Sequence, residues 1–280
     1  MKLSSRLTAV TLATGALILS VGAAFAGLGL PTRWQLGLQD AASPVMADII
    51  SFHNFVLWII TAITAFVLIL LVIIVVRFNA RANPTPSRTA HNTLLEVSWT
   101  VIPVIILVVI AVPSFRLLYL QLDEPKADLT VKATGKQWFW SYSYPDNGNF
   151  EFDSLIVADK NLKAGQPRLL TVDNELVVPV NKIVHVLVTG SDVIHSFAVP
   201  SFGIKIDAVP GRINKTWFKA TSEGLFHGQC SELCGKNHAF MPITVRVVSE
   251  SEFSTWVAAA KQKFAVAAPT TLAAVDTPRQ

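Results

Sequence analysis

Gly228-Gln229-Cys230-Ser231-Glu232-Leu233-Cys234-Gly235-Lys236-Asn237-His238-Ala239-Phe240-Met241 contains the chain's only two cysteines, and it adds an imidazole and a thioether to their thiols. Thiolate and thioether donors select copper(I), zinc or iron–sulfur, and a Cys and His set with a weak Met suits electron-transfer copper. A short disulfide is the plain alternative for C-x-x-x-C outside the cytosol. A second histidine in Ser191-Asp192-Val193-Ile194-His195-Ser196-Phe197 favours a metal, because a Val/Ile-rich approach and a polar turn place a distant ligand opposite a C-terminal loop. One thiolate with two histidines and a methionine suits a single blue copper. Two thiolates can instead bridge a pair of copper ions, each keeping one imidazole, and that arrangement uses every soft ligand present.

The surrounding chain is that of an exported membrane protein. Of 280 residues only 15% are charged, and the mean hydropathy is +0.47, outside the range of an ordinary soluble domain. Lys2 and Arg6, an uncharged stretch from Leu7, and Ala24-Phe25-Ala26 before Gly27 form a secretory signal peptide over 1–26. A membrane anchor that is retained would read the same way. Residues 27–49 follow as an external segment. No charge occurs from Asn54 to Val76 or from Val97 to Phe115, so membrane helices are expected over 50–77 and 96–118. Pro103 and Pro113 are tolerable in such a helix. The connector 78–95 with Arg77 at its start carries Arg81 and Arg88, which places it in the cytoplasm by the positive-inside rule. Everything after the second helix is then external.

The formal charge of +4 arises from targeting and topology. Residues 121–263 hold 15 Lys and Arg against 15 Asp and Glu, so no basic surface for nucleic acid is expected. Alternation in Leu129–Ala133, Ile183–Val188 and Ile243–Val247, punctuated by Pro145-Asp146-Asn147-Gly148 and Pro210-Gly211, predicts a β-sandwich or Greek-key barrel over 119–250. An amphipathic helix over 251–264, started by Ser249 or Ser251, closes it. The Ala/Pro/Thr tail 265–280 has no core-forming pattern and is expected to be disordered.

This arrangement resembles subunit II of the haem–copper cytochrome c oxidases, in the style of the alphaproteobacterial members. The resemblance rests on Glu96-Val97-Ser98-Trp99-Thr100-Val101-Ile102-Pro103, Gly135-Lys136-Gln137-Trp138-Phe139-Trp140-Ser141-Tyr142, Asp192–Pro200, Asp207–Arg212 and the cysteine loop. It implies a two-helix transmembrane hairpin followed by an all-β cupredoxin-like Greek-key domain in the periplasm, anchored in the bacterial inner membrane. It further implies a binuclear copper centre, CuA. Cys230 and Cys234 would bridge the ions, His195 and His238 would be terminal ligands, Met241 a weak axial ligand, and Glu232 would give its carbonyl.

By the same resemblance, the Glu232 side chain would reach a magnesium or manganese ion shared with the catalytic subunit. Trp138 would receive electrons from cytochrome c, Asp173 and Asp192 would attract that basic partner, and Glu96 would stand at a proton-pathway entrance. The residues themselves also support plainer readings. Trp138, Trp140, Tyr142 and Tyr144 share one face if all lie on a strand, which suits a core. Thr93-x-x-Glu96 fits a capping box. Two departures from the family pattern occur here, Phe139 where tyrosine is usual and Ser143 where many relatives carry an acid. Asp146, Glu151 and Asp153 are further docking candidates. His53, His91, His185 and His227 fall outside the copper pattern.

The implied role is electron transfer from cytochrome c to haem in a separate oxygen-reducing, proton-translocating subunit. The chain has no C-x-x-C-H for a fused c-type haem, so its donor is a separate protein. The rival readings are a quinol oxidase subunit lacking copper, an exported membrane-anchored binding module with a disulfide, and a structural zinc at Cys230 and Cys234.

Overall fold

The structure, a computed structural model, describes residues 29–264. The expected leader and the 265–280 tail lie outside the described residues. Two long helices, α1 (Pro44–Arg77) and α2 (Thr93–Leu122), precede a β-domain closed by α3 (Glu250–Lys263). The strands are β1 (Leu129–Lys136), β2 (Phe139–Ser143), β3 (Glu151–Ser154), β4 (Leu176–Pro179), β5 (Ile183–Gly190), β6 (His195–Val199), β7 (Ile204–Ala208), β8 (Asn214–Lys219), β9 (Gly224–Cys230) and β10 (Pro242–Val248).

Helix α1 begins six residues before the expected membrane span, and its sequence explains why. The Ser43 hydroxyl accepts the Met46 N–H at 3.0 Å and donates to the Phe202 carbonyl at 2.7 Å, and Pro44 follows at the first helical position. Val45 and Met46 are buried against the β-domain. Gly203, at φ +70, makes this possible, since a Cβ there would meet Ile49 at 2.7 Å. The first turns of α1 therefore belong to the β-domain. Beyond them the helix is apolar and uncovered, and α1 and α2 each contain an 18-residue stretch apolar enough to cross a bilayer. At about 1.5 Å per residue, 34 residues reach about 50 Å, more than the roughly 30 Å of a hydrocarbon core.

Helix α2 is capped one residue earlier than its Thr93-x-x-Glu96 pattern suggests. The Asn92 side chain accepts the Leu95 N–H, and the Glu96 carboxylate accepts the Asn92 N–H, both at 3.2 Å. Pro103 and Pro113 lie inside the helix.

The strands form two five-stranded mixed sheets, ordered β3-β2-β1-β5-β8 and β4-β10-β9-β6-β7. Alternating residues of β1, with Val184, Val186 and Val188 of β5, supply one inner face. Phe197, Ile243, Val245, Leu176 and Val178 belong to the same core from the other sheet. The aromatic stripe divides. Trp140, Tyr142 and Tyr144 are fully buried, whereas Trp138 sits in the turn between β1 and β2, because β2 begins only at Phe139. Tyr144 ties the sheets to the closing segment: its hydroxyl donates to the Val177 carbonyl at 2.8 Å and accepts the Val177 N–H at 3.0 Å. Its ring packs against Phe150 and Trp256. Ser249 and Glu252 form the capping box of α3.

The segment before α1 is fastened to the same domain. The Gly29 carbonyl accepts the His227 N–H, the Ala42 N–H donates to Ser201, and the Ala42 carbonyl accepts Thr221 N–H, at 2.8–2.9 Å. The hairpin thus leaves the domain at a defined place.

Candidate metal centre

Adjacent strands deliver the site. In the register of β6 and β9, Phe197 opposes Cys230, so His195 at the start of β6 and Cys230 at the end of β9 come to the same edge of one sheet. The loop after Cys230 returns through the single turn His238–Phe240 into β10, bringing Cys234, His238 and Met241 back over that edge.

The thiols of Cys230 and Cys234 are 3.9 Å apart, unbonded and buried. Each has its own imidazole, with His195 Nδ1 3.8 Å from Cys230 Sγ and His238 Nδ1 3.6 Å from Cys234 Sγ. Each also has one weaker donor. The Glu232 carbonyl is 3.4 Å from Cys230 Sγ, and Met241 Sδ is 3.5 Å from Cys234 Sγ. All six residues named from the sequence as copper ligands are therefore brought together.

The Asp192 carboxylate faces His195 Nε2 at 2.8 Å. A carboxylate only accepts, so Nε2 carries a proton, and Nδ1 is the nitrogen that faces Cys230. Burial alone would lower the basicity of His195, but Cys230 and Asp192 beside it outweigh burial and raise it. Burial would likewise lift the Cys230 thiol, yet His195 draws it down to about 6. Cys234 moves the other way, through burial and then the neighbouring Cys230 thiolate. Cys230 is thus the more readily ionised of the two, and positive charge between or beside the sulfurs favours both thiolates.

Room for the imidazole comes from Gly135. A Cβ there would lie 2.8 Å from His195 Cδ2 and 2.9 Å from Cγ. Trp140 lies edge-on to His195 with centroids 6.1 Å apart, and its indole N–H donates to the Met241 carbonyl at 3.2 Å. Trp138, half-buried, donates through Nε1 to the Cys234 carbonyl at 3.2 Å.

The donor set fits two soft ions better than one tetrahedral zinc. His195, Cys230 and Cys234 present ligand atoms all within 4.8 Å of one another, whereas His238 meets this group through Cys234. A single tetrahedral ion at the usual bond lengths needs all four donors mutually adjacent. Two thiols, each beside its own imidazole, suit a pair of ions, with softness favouring copper.

Residues 129–248 match the family described as cytochrome c oxidase subunit II, periplasmic domain, and residues 31–117 match the subunit II transmembrane domain. A probable cytochrome c oxidase subunit 2 of Rickettsia prowazekii is 58% identical over 228 residues, covering 81% of this chain and 73% of that protein. The chain belongs to the cytochrome c oxidase subunit II family. The subunit 2 of Metridium senile is 50% identical over 233 residues, 82% of this chain and 92% of its own. Among solved structures, the periplasmic domain of subunit II from Bradyrhizobium japonicum shares 68% identity, covering 51% of this chain and all of that domain, with a TM-score of 0.49.

Other residues singled out from the sequence lie away from the cluster. Asp173 is exposed and accepts the backbone N–H groups of Leu155 and Asn174, beside Glu151 and Asp153 in one open cleft. Asp153 is partly neutralised by Lys136 at 3.7 Å. Asp146 accepts the Thr130 N–H at 2.8 Å. His227 is buried, 3.1 Å from the Leu170 carbonyl, and His185 lies 2.7 Å from the Pro125 carbonyl; both are structural contacts. Gln137 was not anticipated. Its side chain donates to the Cys234 carbonyl at 2.8 Å, and its place beside Trp138 was the one available sign.

Proposed function

We propose that the chain is the electron-transfer subunit of a cytochrome c oxidase, accepting electrons from cytochrome c and passing them toward haem in a separate oxygen-reducing, proton-translocating subunit. The observation that carries this reading is the buried meeting of two unbonded thiols, each beside its own imidazole. His195, Cys230, Cys234, His238, Met241 and the carbonyl of Glu232 would hold two copper ions, the CuA centre. When bound, such a pair supplies a one-electron couple between the donor and the catalytic subunit.

The chain's own residues prepare that site. Core burial of Cys230, Cys234 and Met241 excludes water, while Asp192 and Gly135 orient and admit the His195 ring. Trp138 is the port for the incoming electron, since its partly exposed ring is hydrogen-bonded directly to the backbone of Cys234. Ile194, Leu233 and Phe240 leave apolar side chains exposed around the loop, a surface suited to partner proteins. Asp173 and the uncovered edge of Asp192 supply negative charge to steer a basic cytochrome c.

The Glu232 side chain is exposed, free to share a magnesium or manganese ion with the catalytic subunit. Glu96, at the inner end of α2, stands at the mouth of a proton pathway. The hairpin anchors the chain in the bacterial inner membrane, with the connector in the cytoplasm and the β-domain in the periplasm.

Metal analysis and electron paramagnetic resonance of the purified full-length protein, reconstituted with copper, test the reading. Two coppers per chain sharing one unpaired electron over equivalent nuclei support it. One zinc per chain, or a Cys230–Cys234 disulfide that resists metal, rejects it.

A further inference from the structure

We propose that Asp192 and Gln137 are positioning residues that brace the metal loop against the β1–β2 turn, holding His195 and Cys234 in place before any ion binds. This rests on the copper reading for what the brace serves. Both oxygens of the Asp192 carboxylate are committed. Oδ2 accepts the Gln137 N–H at 2.7 Å, and Oδ1 accepts the Val193 N–H at 2.7 Å and His195 Nε2–H at 2.8 Å. Its side chain keeps 32% exposure, so these inward contacts coexist with an uncovered edge.

Gln137 carries the connection onward. Its backbone N–H binds Asp192, and its side-chain amide donates to the Cys234 carbonyl at 2.8 Å, alongside the Trp138 indole at 3.2 Å. A carbonyl has two lone pairs, so both donors fit. The result is a ring of contacts from His195 through Asp192, Gln137 and Cys234 to Cys230 and back to His195, closed by the 3.9 and 3.8 Å separations around Cys230. The loop bearing Asp192 is itself tied to β1, where Ser191 N–H donates to the Gly135 carbonyl at 2.9 Å. Gly190 fits only as glycine, a Cβ there meeting the Val193 carbonyl oxygen at 2.6 Å. The same two-residue turn, Gln137-Trp138, therefore places the electron port and fixes the ligand geometry.

Two single variants of the oxidase complex test this, Asp192→Asn and Gln137→Leu. Asparagine keeps one acceptor but puts an amide N–H where either Gln137 N–H or His195 Nε2–H must find an oxygen. Loss of an outer partner to a metal-bound histidine typically lowers metal affinity about 10- to 100-fold, so Asp192→Asn should release copper to a copper(I) chelator faster by a comparable factor. Its copper hyperfine splitting should change, and its midpoint potential should rise as the imidazole becomes a poorer donor. Gln137→Leu should also release copper faster and shift the Trp138 fluorescence. In the metal-free protein, Asp192→Asn should speed hydrogen exchange at the Gln137 amide.

The proposal is overturned if Asp192→Asn keeps the wild-type release rate, hyperfine pattern, potential and amide exchange while raising the KM for cytochrome c and flattening its salt dependence. That outcome would make Asp192 a docking charge alone. If the Asp192 variant yields no complex, Gln137→Leu decides by the same release rate and hyperfine pattern. Wild-type complex without paired copper would instead defeat the copper reading itself.

Discussion

Replacing Gly135 with alanine should damage the His195 position specifically. The added methyl carbon would stand 2.8, 2.9 and 3.0 Å from Cδ2, Cγ and Cβ of His195. Nonbonded carbons prefer about 3.5–4.0 Å, so ring or strand must yield by about 0.7 Å or more. The ring has nowhere to go at no cost. Its side chain is fully buried, Asp192 holds Nε2 at 2.8 Å, Trp140 lies edge-on, and Cys230 Sγ is 3.8 Å from Nδ1. Moving it by that amount stretches the Asp192 hydrogen bond beyond useful length, or turns Nδ1 away from the thiols. Overpacking of this kind costs about 1–3 kcal/mol.

Thermal unfolding of the full-length protein, followed by near-ultraviolet circular dichroism, and copper content after reconstitution would measure the two effects. Gly135→Ala should melt earlier and bind copper with an altered hyperfine pattern. Gly37→Ala, where a Cβ meets nothing within 4 Å, should behave as wild type. A Gly135→Ala protein with unchanged melting and an unchanged copper spectrum would refute the packing argument, since it would show that the imidazole is not confined where the contacts place it.

Tyr144→Phe should cost about 1–3 kcal/mol, because one hydroxyl serves both the N–H and the carbonyl of Val177. Tyr142→Phe should be close to neutral in the same denaturant titration, since the buried Tyr142 hydroxyl has no hydrogen-bond partner among the described residues. Burial lowers the His227 pKa from 6.5, so the unfolded chain takes up this proton first as pH falls. The stability from neutral His227, full above about pH 6.5, is then lost toward lower pH. His227→Gln should therefore show a shallower drop in Tm between pH 7 and pH 5 than wild type. Stripping bound copper with a chelator should lower Tm, by about 4 kcal/mol of stability at the midpoint if free metal had been 1,000-fold above its Kd. Glu96→Ala should slow oxidase turnover while copper content stays constant, and unchanged turnover would remove the proton-pathway role.

Much of this molecule is written locally. Uncharged runs long enough to cross a bilayer announce α1 and α2, and period-two alternation announces β1, β5 and β10, since burial on one face of a regular element repeats along the chain. The ligand types in the cysteine loop are equally plain, because softness is a property of the side chain. Local patterns misplace what depends on distant partners. Helix α1 begins at Pro44 because Ser43 finds the Phe202 carbonyl and Gly203 makes room for Met46, contacts separated by some 160 positions. Trp138 leaves the aromatic stripe because the β1–β2 turn takes it to the carbonyl of Cys234.

Asp192 looks like an exposed acid in sequence, three positions before a ligand. Only the packing of β1 against β5 brings the Gln137 N–H to one oxygen while His195 takes the other. Donor chemistry and chain topology are carried by residue types and their spacing. Which thiol is more acidic, which imidazole nitrogen faces it and which acid is engaged depend on contacts of about 2.7–3.9 Å, some local and some between residues 35 to 97 positions apart, and these are set only when the strands and turns that carry them are packed together.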